Sequence, residues 1–287
     1  MASLREQFIS RQVNVTGWDQ AALDSTTALV LGAGGIGCGV ALALARMGIK
    51  EIIIVDFDTV DPSNLNRQLL FGKDDIGQRK VDAAAKALQN AHAYSTTVTP
   101  IHTDAVGNWG TIVDAAKRSQ VVFNGIDVGM WFDVAVGSLA KSLNIPYASG
   151  SSYANTWIVD YFKAGEDLPC PQCAGMAPTS DAKLKLLHSS KIQSYSSLAD
   201  IVTKDAVPPT GQIGSHACVC GNAGLMVVNA WLQGSILKVP TEGSGAADAP
   251  VMHTWTKFNM SNWSDVVQFS VEKDPHCAIC GPAPKEE

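Results

Sequence analysis

The stretch LVLGAGGIGCGVALALARMG, Leu29–Gly48, contains the glycine pattern that decides the fold class. Gly32, Gly34 and Gly37 form G-x-G-x-x-G between an apolar run typical of a β-strand and a run typical of a helix. The first two glycines allow a tight turn and a close backbone approach to a ligand, and the third lets the helix pack on the strand. Because a helix N-terminus attracts phosphate, the pattern predicts a nucleotide site. The glycines leave open whether that nucleotide is a redox dinucleotide or ATP.

Apolar runs and helical stretches alternate through the first half of the chain. The predicted strands there are ALVLGAG, EIIIVDFD, TVTPIHTDA, QVVFNGID and IPYASGSS. Continuous apolar strands separated by helices are typical of a parallel sheet that helices cover on both faces. We therefore predict an α/β fold with a Rossmann-like, doubly wound, mainly parallel sheet. WIVDYFKA, at 157–164, predicts a further strand, and in the C-terminal half APVMHTWTKFNM and DVVQFSVEK predict antiparallel strands that extend the sheet.

The length of 287 residues fits one large α/β unit. We predict a single domain with a nucleotide-binding half at 1–165, a crossover loop at 166–210 and a C-terminal half at 211–287. Residues 174–209 are rich in Ser, Lys, Asp and Pro without a strong period, which predicts a functional loop or lid. The run GNAGLMVVNAWLQGSIL, which starts at Gly221, predicts a buried helix.

The composition narrows the class of partner. Hydrophobic residues make up 46% and charged residues 17% of the chain, a globular balance, and the formal net charge is −6 without a basic block. We therefore expect neither a nucleic-acid nor an anionic-membrane surface. The N-terminal residues lack the pattern of a signal peptide, and no apolar run is long enough to cross a membrane. These features predict a cytoplasmic protein.

Polar residues after the second predicted strand distinguish between the two nucleotides. Asp56 ends that strand about twenty residues after the glycines, where it can accept from ribose hydroxyls. Arg67 and Lys80 have no task in hydride transfer, whereas a reaction at the α-phosphate of ATP needs cations to neutralise growing charge. Each alone could be a solvated surface charge. With Asn64 and Gln68 beside them, they favour a triphosphate site.

Several strings together resemble one family. They are SRQ at 10–12, GAGGIG, VDFDTVDPSNLNRQ, IGQRKVDAAAKAL and VVFNGID. In this order they resemble the ThiF/MoeB/HesA family of ubiquitin-activating (E1-like) adenylyltransferases over most of the chain. The resemblance implies one E1-like adenylation domain that uses ATP and Mg²⁺ to adenylate the C-terminal carboxylate of a small ubiquitin-like or sulfur-carrier protein. Pyrophosphate would be released, and the partner would carry a C-terminal glycine tail.

The resemblance also implies roles for individual residues. Gly34 and Gly35 would face the phosphates, and Asp56 would hold the ribose. The triphosphate would be lined by Asn64, Arg67, Gln68 and Lys80.

Two further roles implied by the resemblance concern Mg²⁺ and a second subunit. Asp127, at the end of VVFNGID, would bind Mg²⁺, for which carboxylate oxygen is a suitable ligand. Arg11 matches an arginine that reaches the ATP site of the other subunit in dimers of this family, which implies a homodimer. Val128 departs from the family, where Asn usually follows the magnesium aspartate.

Four of the seven cysteines form two Cys-x-x-Cys pairs about a hundred residues apart. They are Cys170, Cys173, Cys277 and Cys280. Four thiolates in this spacing suit a closed tetrahedral Zn²⁺ site, and because no coordination position is open we predict a structural site. The alternative is a buried group of small hydrophobic residues. Cys38, directly after the glycines, is predicted to be a core residue.

Cys218 and Cys220 precede the predicted helix at Gly221. A thiolate near a helix N-terminus is favoured by the helix dipole, and a protonated His216 would lower its pKa further. By its distance from AGLMVV, Cys218 matches the catalytic cysteine of the autophagy-type activating enzyme. We predict Cys218 as a candidate thioester nucleophile, with Cys220 as the second candidate and two inert buried thiols as the alternative.

Two other functions remain open from the sequence. An NAD-dependent oxidoreductase is supported by the glycine pattern alone. An inactive partner that only docks a carrier protein would have no need of Asp56, Arg67, Lys80 and Asp127, so their presence argues against it.

Overall fold

An eight-stranded sheet forms the framework of the part of the chain that the structure describes. The structure, a computed structural model, describes residues 2–91, 96–153, 156–177, 182–202, 216–237, 254–259 and 267–283. The strands are β1 (Thr27–Leu31), β2 (Glu51–Asp56), β3 (Thr97–His102), β4 (Val121–Asn124), β5 (Tyr147–Tyr153), β6 (Thr156–Phe162), β7 (Thr254–Asn259) and β8 (Val267–Ser270). Their order in the sheet is β3-β2-β1-β4-β5-β6-β7-β8.

The direction of the strands divides this sheet into two parts. The first five strands along the chain pair in parallel, and β6, β7 and β8 add to β5 in antiparallel fashion. The chain crosses from β3 back past β1 to β4, and the resulting strand order is that of a doubly wound nucleotide-binding sheet. The predicted fold class is therefore confirmed, including the antiparallel C-terminal extension.

Helices cover both faces of the sheet. They are α1 (Leu4–Ile9), α2 (Gln20–Ser25), α3 (Gly35–Met47), α4 (Lys80–Ala91), α5 (Trp109–Lys117), α6 (Met130–Ser142), α7 (Lys183–Leu186) and α8 (His216–Trp231). On one face, α3, α4 and α8 share a core with β1 side chains Ala28 and Val30. On the other, α5 and α6 share a core with Leu29 and Leu31. Among the described residues, no helix is long and apolar enough to cross a membrane.

The described part of the predicted loop at 174–209 belongs to the second core. Leu184, Leu187 and Ile192 are buried there. The indole N–H of Trp109 donates to the carbonyl of Ile192 at 2.9 Å, which fixes this segment on α5. The expectation of a lid is therefore wrong for residues 182–202, because their apolar side chains are needed to cover the sheet. Residues 178–181 and 203–209 lie outside the described part.

Helix α8 starts earlier than predicted and crosses α3 at very short range. It begins at His216, five residues before Gly221, so the cysteines at 218 and 220 lie within the helix and not before it. A Cβ at Gly224 would lie 2.5 Å from the carbonyl oxygen of Ile36 and 2.9 Å from the backbone nitrogen of Val40. Only glycine at this position lets the two helices approach so closely.

The glycine turn after β1 is held by a carboxylate at the end of β2. Asp56 is 9% exposed. Its Oδ2 accepts from the N–H of Ala33 at 2.7 Å, and its Oδ1 accepts from the N–H of Asp58 at 2.8 Å. The carboxylate therefore joins the two loops at the carboxyl edge of the sheet.

Substitution of Gly224 tests the helix crossing. We expect Gly224→Ala to lower the free energy of unfolding by about 1–3 kcal/mol, because the methyl group meets backbone atoms that cannot move aside. Gly110→Ala is the matched control: it also lies in a helix, and its Cβ would meet nothing closer than 3.7 Å. Urea unfolding measures the free energy of unfolding of both variants, and equal values for Gly224→Ala and Gly110→Ala would contradict the close crossing.

Substitution of Asp56 tests the junction of the two loops. Asp56→Ala removes a charged acceptor from two backbone N–H groups, so we expect a loss of about 2–4 kcal/mol in unfolding free energy without nucleotide. The exposed Asp127 provides the control, and Asp127→Ala should change stability by less than about 0.5 kcal/mol. If Asp56→Ala is as stable as Asp127→Ala, the carboxylate does not hold the loops.

Candidate active site

The glycine turn leads directly into the N-terminus of α3. Gly32 has φ +91°, and a Cβ at Gly37 would lie 1.8 Å from the carbonyl oxygen of Gly32. Gly34 is the N-cap residue and supplies no side-chain hydrogen bond to the first turn. A Cβ at Gly34 would have nothing within 4 Å. The first turn of α3 thus has no side-chain cap from its N-cap residue, and such an uncapped helix N-terminus can bind phosphate.

Asp56 lies beside this turn, as predicted, but its hydrogen bonds to the protein backbone were not foreseen. Each carboxylate oxygen already accepts one N–H. Because a carboxylate oxygen has more than one lone pair, each can still accept a further donor such as a ribose hydroxyl.

Lys80 is a buried cation at the start of α4. Its residue is 6% exposed, and its Nζ donates to Oδ2 of Asp58 at 2.8 Å. The Asp58 side chain is 48% exposed, so only one member of the pair is shielded from water. Sequence reasoning missed this partner, although the string VDFD contains it. An anionic ligand entering from solvent can compete with Asp58 for the Lys80 ammonium.

Three other predicted residues, Asn64, Arg67 and Gln68, lie on the turns between β2 and α4. The guanidinium of Arg67 donates to the carbonyl of Ser63 at 2.9 Å, and its Cγ would lie 3.4 Å from a Cβ at Gly35. Asn64 is buried and accepts from the N–H of Asp61 at 3.1 Å. The structure therefore brings Arg67 to the N-terminus of α3, while the Asn64 carbonyl holds its own turn.

Gln68 carries an unusual buried oxygen. The residue is 3% exposed, and its Oε1 has no hydrogen-bond donor among the described residues. A buried acceptor without a partner costs about 1–3 kcal/mol. A donor on a bound ligand would recover that energy.

The turn after β4 packs against the glycine turn. A Cβ at Gly32 would lie 3.0 Å from the carbonyl carbon and oxygen of Gly125 and 3.1 Å from Cγ1 of Ile126. Asp127, the next residue, is exposed. The predicted magnesium ligand is therefore at the same sheet edge as the phosphate-binding turn.

Cys220 lies under the glycine turn. A Cβ at Gly35 would be 2.8 Å from Cβ and 3.0 Å from Sγ of Cys220, and the thiol is 3.3 Å from the hydroxyl of Ser152. Burial raises the pKa of Cys220, partly offset by the Ser152 hydrogen bond and the charge of Arg67. The expectation of a lowered pKa is therefore wrong for this thiol. The side chains of Cys218 and His216 lie outside the described part.

Arg11 is far from the site of its own chain. It is exposed and lies in the turn after α1. The neighbouring Gln12 donates from Nε2 to the carbonyl of Met47 at 2.8 Å, which places this turn at the C-terminal end of α3. With 13 residues, α3 is about 20 Å long, and the glycine turn lies at its other end.

The two Cys-x-x-Cys pairs meet in one cluster. The Sγ atoms are 3.9 Å apart for Cys170 and Cys173, 3.6 Å for Cys170 and Cys277, and 3.6 Å for Cys173 and Cys280. Four sulfurs around Zn²⁺ at 2.3 Å would be about 3.8 Å apart. The cluster could therefore hold zinc.

Local hydrogen bonds favour the thiolate at two of the four cysteines, whereas hydrogen bonding within the cluster raises the pKa of Cys170 and Cys280. Hydrogen bonding from Cys170 lowers the pKa of Cys173 and brings the pKa of Cys277 to about 7. The backbone N–H of Asp274 and that of Ile279 point at Cys173 and Cys277, each with a nitrogen–sulfur distance of 3.5 Å. A metal ligand must be a thiolate, so Cys173 and Cys277 are the two cysteines whose environment already favours the ligand form.

Cys38 is a core residue, as predicted. It is fully buried, and burial raises the pKa of its thiol to about 12. Its Sγ donates to the carbonyl of Ala33 at 3.4 Å.

Known proteins share both the sequence pattern and the fold. The molybdopterin-synthase adenylyltransferase of Salmonella typhimurium is 31% identical over 183 residues, which cover 60% of this chain and 70% of that protein. The NEDD8-activating enzyme E1 catalytic subunit of Caenorhabditis elegans is 48% identical over 68 residues, which cover 24% of this chain and only 16% of that protein.

Among solved structures, Escherichia coli MccB in complex with AMPCPP and MccA has a TM-score of 0.66 at 22% identity, and the match covers 91% of this chain and 68% of that one. At this identity the likeness shows the fold alone. The profile of the ThiF family matches residues 7–276, almost the whole chain. The resemblance deduced from the motifs is thus confirmed, and the chain belongs to the ThiF family.

Proposed function

We propose that the chain adenylates the C-terminal carboxylate of a small ubiquitin-like or sulfur-carrier protein, with release of pyrophosphate. One observation carries the proposal: two cations, the buried Lys80 and the half-buried Arg67, lie at the same carboxyl edge of the sheet as the uncapped N-terminus of α3. Relatives named as adenylyltransferases and as an E1 catalytic subunit support this class of reaction.

The chemistry requires positioning more than proton transfer. A carboxylate is already a nucleophile at neutral pH, so an oxygen of the carrier's last residue attacks the α-phosphorus of ATP. The bond from that phosphorus to the bridging oxygen breaks, and pyrophosphate leaves. Gly34 and Gly35 would hold phosphates on the N–H groups of α3, and Lys80 and Arg67 would neutralise charge on the phosphoryl oxygens.

Asp127 would hold Mg²⁺ at this edge. Asp127 is exposed and follows Ile126, which packs against the glycine turn, and carboxylate oxygen is the ligand type that Mg²⁺ takes in phosphate sites. Bound there, Mg²⁺ would neutralise charge on the phosphates. Asp56 would hold the ribose, and the unpartnered oxygen of Gln68 would accept a donor from the nucleotide.

Zinc is proposed for the four-cysteine cluster. All four sulfurs lie within 4.8 Å of one another, which fits tetrahedral coordination without an open position. The ion would join the knuckle at 170–173 to the one at 277–280, and its role would be structural.

The proposal extends to the nucleophile, the second subunit and the domain organisation. Cys218 is retained as the thioester nucleophile, because the raised pKa of Cys220 disfavours a thiolate there. The position of Arg11 at the far end of α3 is consistent with a homodimer in which it serves the other subunit. From the sequence we also propose a single E1-like domain with parts at 1–165, 166–210 and 211–287. The same sequence features lead us to propose a glycine-tailed partner and a cytoplasmic location.

The two rival functions account for less of the site. An NAD-dependent oxidoreductase would use the glycine turn and Asp56 but would leave the buried Lys80 without a ligand phosphate. An inactive docking partner would have no use for a buried cation that costs desolvation energy.

Isotope exchange between ATP and pyrophosphate tests the proposal. We expect exchange in the presence of a suitable carrier from a panel of glycine-tailed ubiquitin-like and sulfur-carrier proteins. Lys80→Met should reduce the exchange rate about 100- to 1000-fold, because the positive charge that stabilises the transition state is lost. Lys73→Met is the control, since Lys73 is exposed on the same connection. Reduction of NAD without exchange, or equal exchange in both variants, would overturn the proposal.

Metal analysis tests the cysteine cluster. We expect one zinc per chain by native mass spectrometry, lost in Cys280→Ser and kept in Cys220→Ala. Without the metal, Cys280→Ser should lose about 2 kcal/mol of unfolding free energy, which would lower its melting temperature by roughly 4–8 °C relative to the parent. A chain without zinc, or Cys280→Ser with full zinc content, would exclude the assignment.

A further inference from the structure

A chain of side-chain hydrogen bonds lies behind the turn that carries Asp127. The hydroxyl of Tyr147 on β5 and the amide Nδ2 of Asn124 at the end of β4 both donate to Oδ1 of Asp133, each at 2.8 Å. The other end of the Asn124 amide, Oδ1, accepts from the backbone N–H of Ile126 at 3.2 Å. The three side chains thus connect the first turn of α6 to the residue that precedes Asp127.

The acceptor at Asp133 determines which way the Asn124 amide points. An ionised carboxylate only accepts hydrogen bonds, whereas an amide has a donor end and an acceptor end. If the Asn124 amide were turned over, its oxygen would face the carboxylate of Asp133 and its NH₂ would face the N–H of Ile126. Both contacts would be repulsive. Asn124 is 4% exposed, so water offers little compensation.

The charge state of Asp133 suits this task at neutral pH. Burial raises the pKa of Asp133 to about 6, the charge of Asp127 adds to the rise, and the hydrogen bonds from Tyr147 and Asn124 oppose it. Burial also raises the pKa of the neighbouring Asp160, to about 8. At pH 7 to 8 Asp133 is therefore mostly ionised and acts as an acceptor. The first turn of α6 is also a favourable place for a negative charge.

The position of Ile126 affects both halves of the site. Its Cγ1 would lie 3.1 Å from a Cβ at Gly32, in the glycine turn, and Asp127 follows it directly. A shift of the Ile126 N–H would therefore move the Asp127 carboxylate relative to the phosphate-binding turn.

We propose that Asp133 is a positioning residue: it orients the amide of Asn124, which holds the Ile126 N–H and thereby fixes Asp127 relative to the glycine turn. The catalytic consequence rests on the proposed function, in which Asp127 binds Mg²⁺. The effect on the backbone does not, because it concerns the ligand-free protein.

Hydrogen exchange at the Ile126 amide tests the positioning directly. In the ligand-free protein we expect Asp133→Ala and Asn124→Ala to speed exchange at Ile126 roughly 3- to 10-fold, as for loss of one hydrogen bond. Asp133→Asn keeps an acceptor oxygen and should restore slow exchange. Tyr147→Phe removes the other hydrogen bond to Asp133 and should change the rate less than about twofold. Unchanged exchange at Val30 in β1 shows that each variant is folded.

Magnesium dependence of ATP–pyrophosphate exchange provides the second readout. We expect Asp133→Ala to raise the half-saturating Mg²⁺ concentration several-fold, with Asp133→Asn and Tyr147→Phe close to the parent. Parent-like Ile126 exchange in folded Asp133→Ala would overturn the inference. If Asp127→Ala keeps full activity and the parent's Mg²⁺ dependence, the magnesium assignment fails, and the Ile126 result still decides the positioning role.

Discussion

A side chain at Gly37 would place its first carbon 1.8 Å from the carbonyl oxygen of Gly32, so the turn between β1 and α3 exists only with glycine there. That backbone contact is the constraint on which the site depends. It brings the N-terminus of α3 to the carboxyl edge of the sheet, where Asp56 binds the N–H of Ala33. The turn after β4 packs directly against Gly32 and Gly37, and Cys220 in α8 packs against Gly35.

The electrostatics of the site follow from this geometry. The N-terminus of α3 carries partial positive charge, and the ammonium of Lys80 adds a full charge whose only described carboxylate partner, Asp58, is half exposed. Such a site favours a ligand with several negative charges over one with a single phosphate group. Asp127 is exposed and follows Ile126, which packs against the glycine turn, and a divalent cation would offset the repulsion between its carboxylate and bound phosphates.

Much of the architecture could be predicted because its signals are local. Apolar runs such as EIIIVD reveal buried parallel strands, and Cys-x-x-Cys spacing reveals the four-sulfur cluster. The signals that failed are non-local. Leu184, Leu187 and Ile192 are buried only because they meet α5 and α6, while the surrounding Ser and Lys residues suggest a loop. The pairing of Lys80 with Asp58 depends on the fold between them, which the spacing of 22 residues does not reveal.

The fate of the carrier's carboxylate oxygen tests the account most directly. A glycine-tailed carrier that supports ATP–pyrophosphate exchange is labelled with ¹⁸O in its C-terminal carboxylate and incubated with the protein, ATP, Mg²⁺ and hydroxylamine. If the carboxylate attacks the α-phosphorus, hydroxylamine releases AMP that retains one ¹⁸O, visible as an isotope shift in ³¹P NMR. Unlabelled AMP, or ADP as the nucleotide product, would contradict the claim that this glycine turn presents the α-phosphate to another protein's tail.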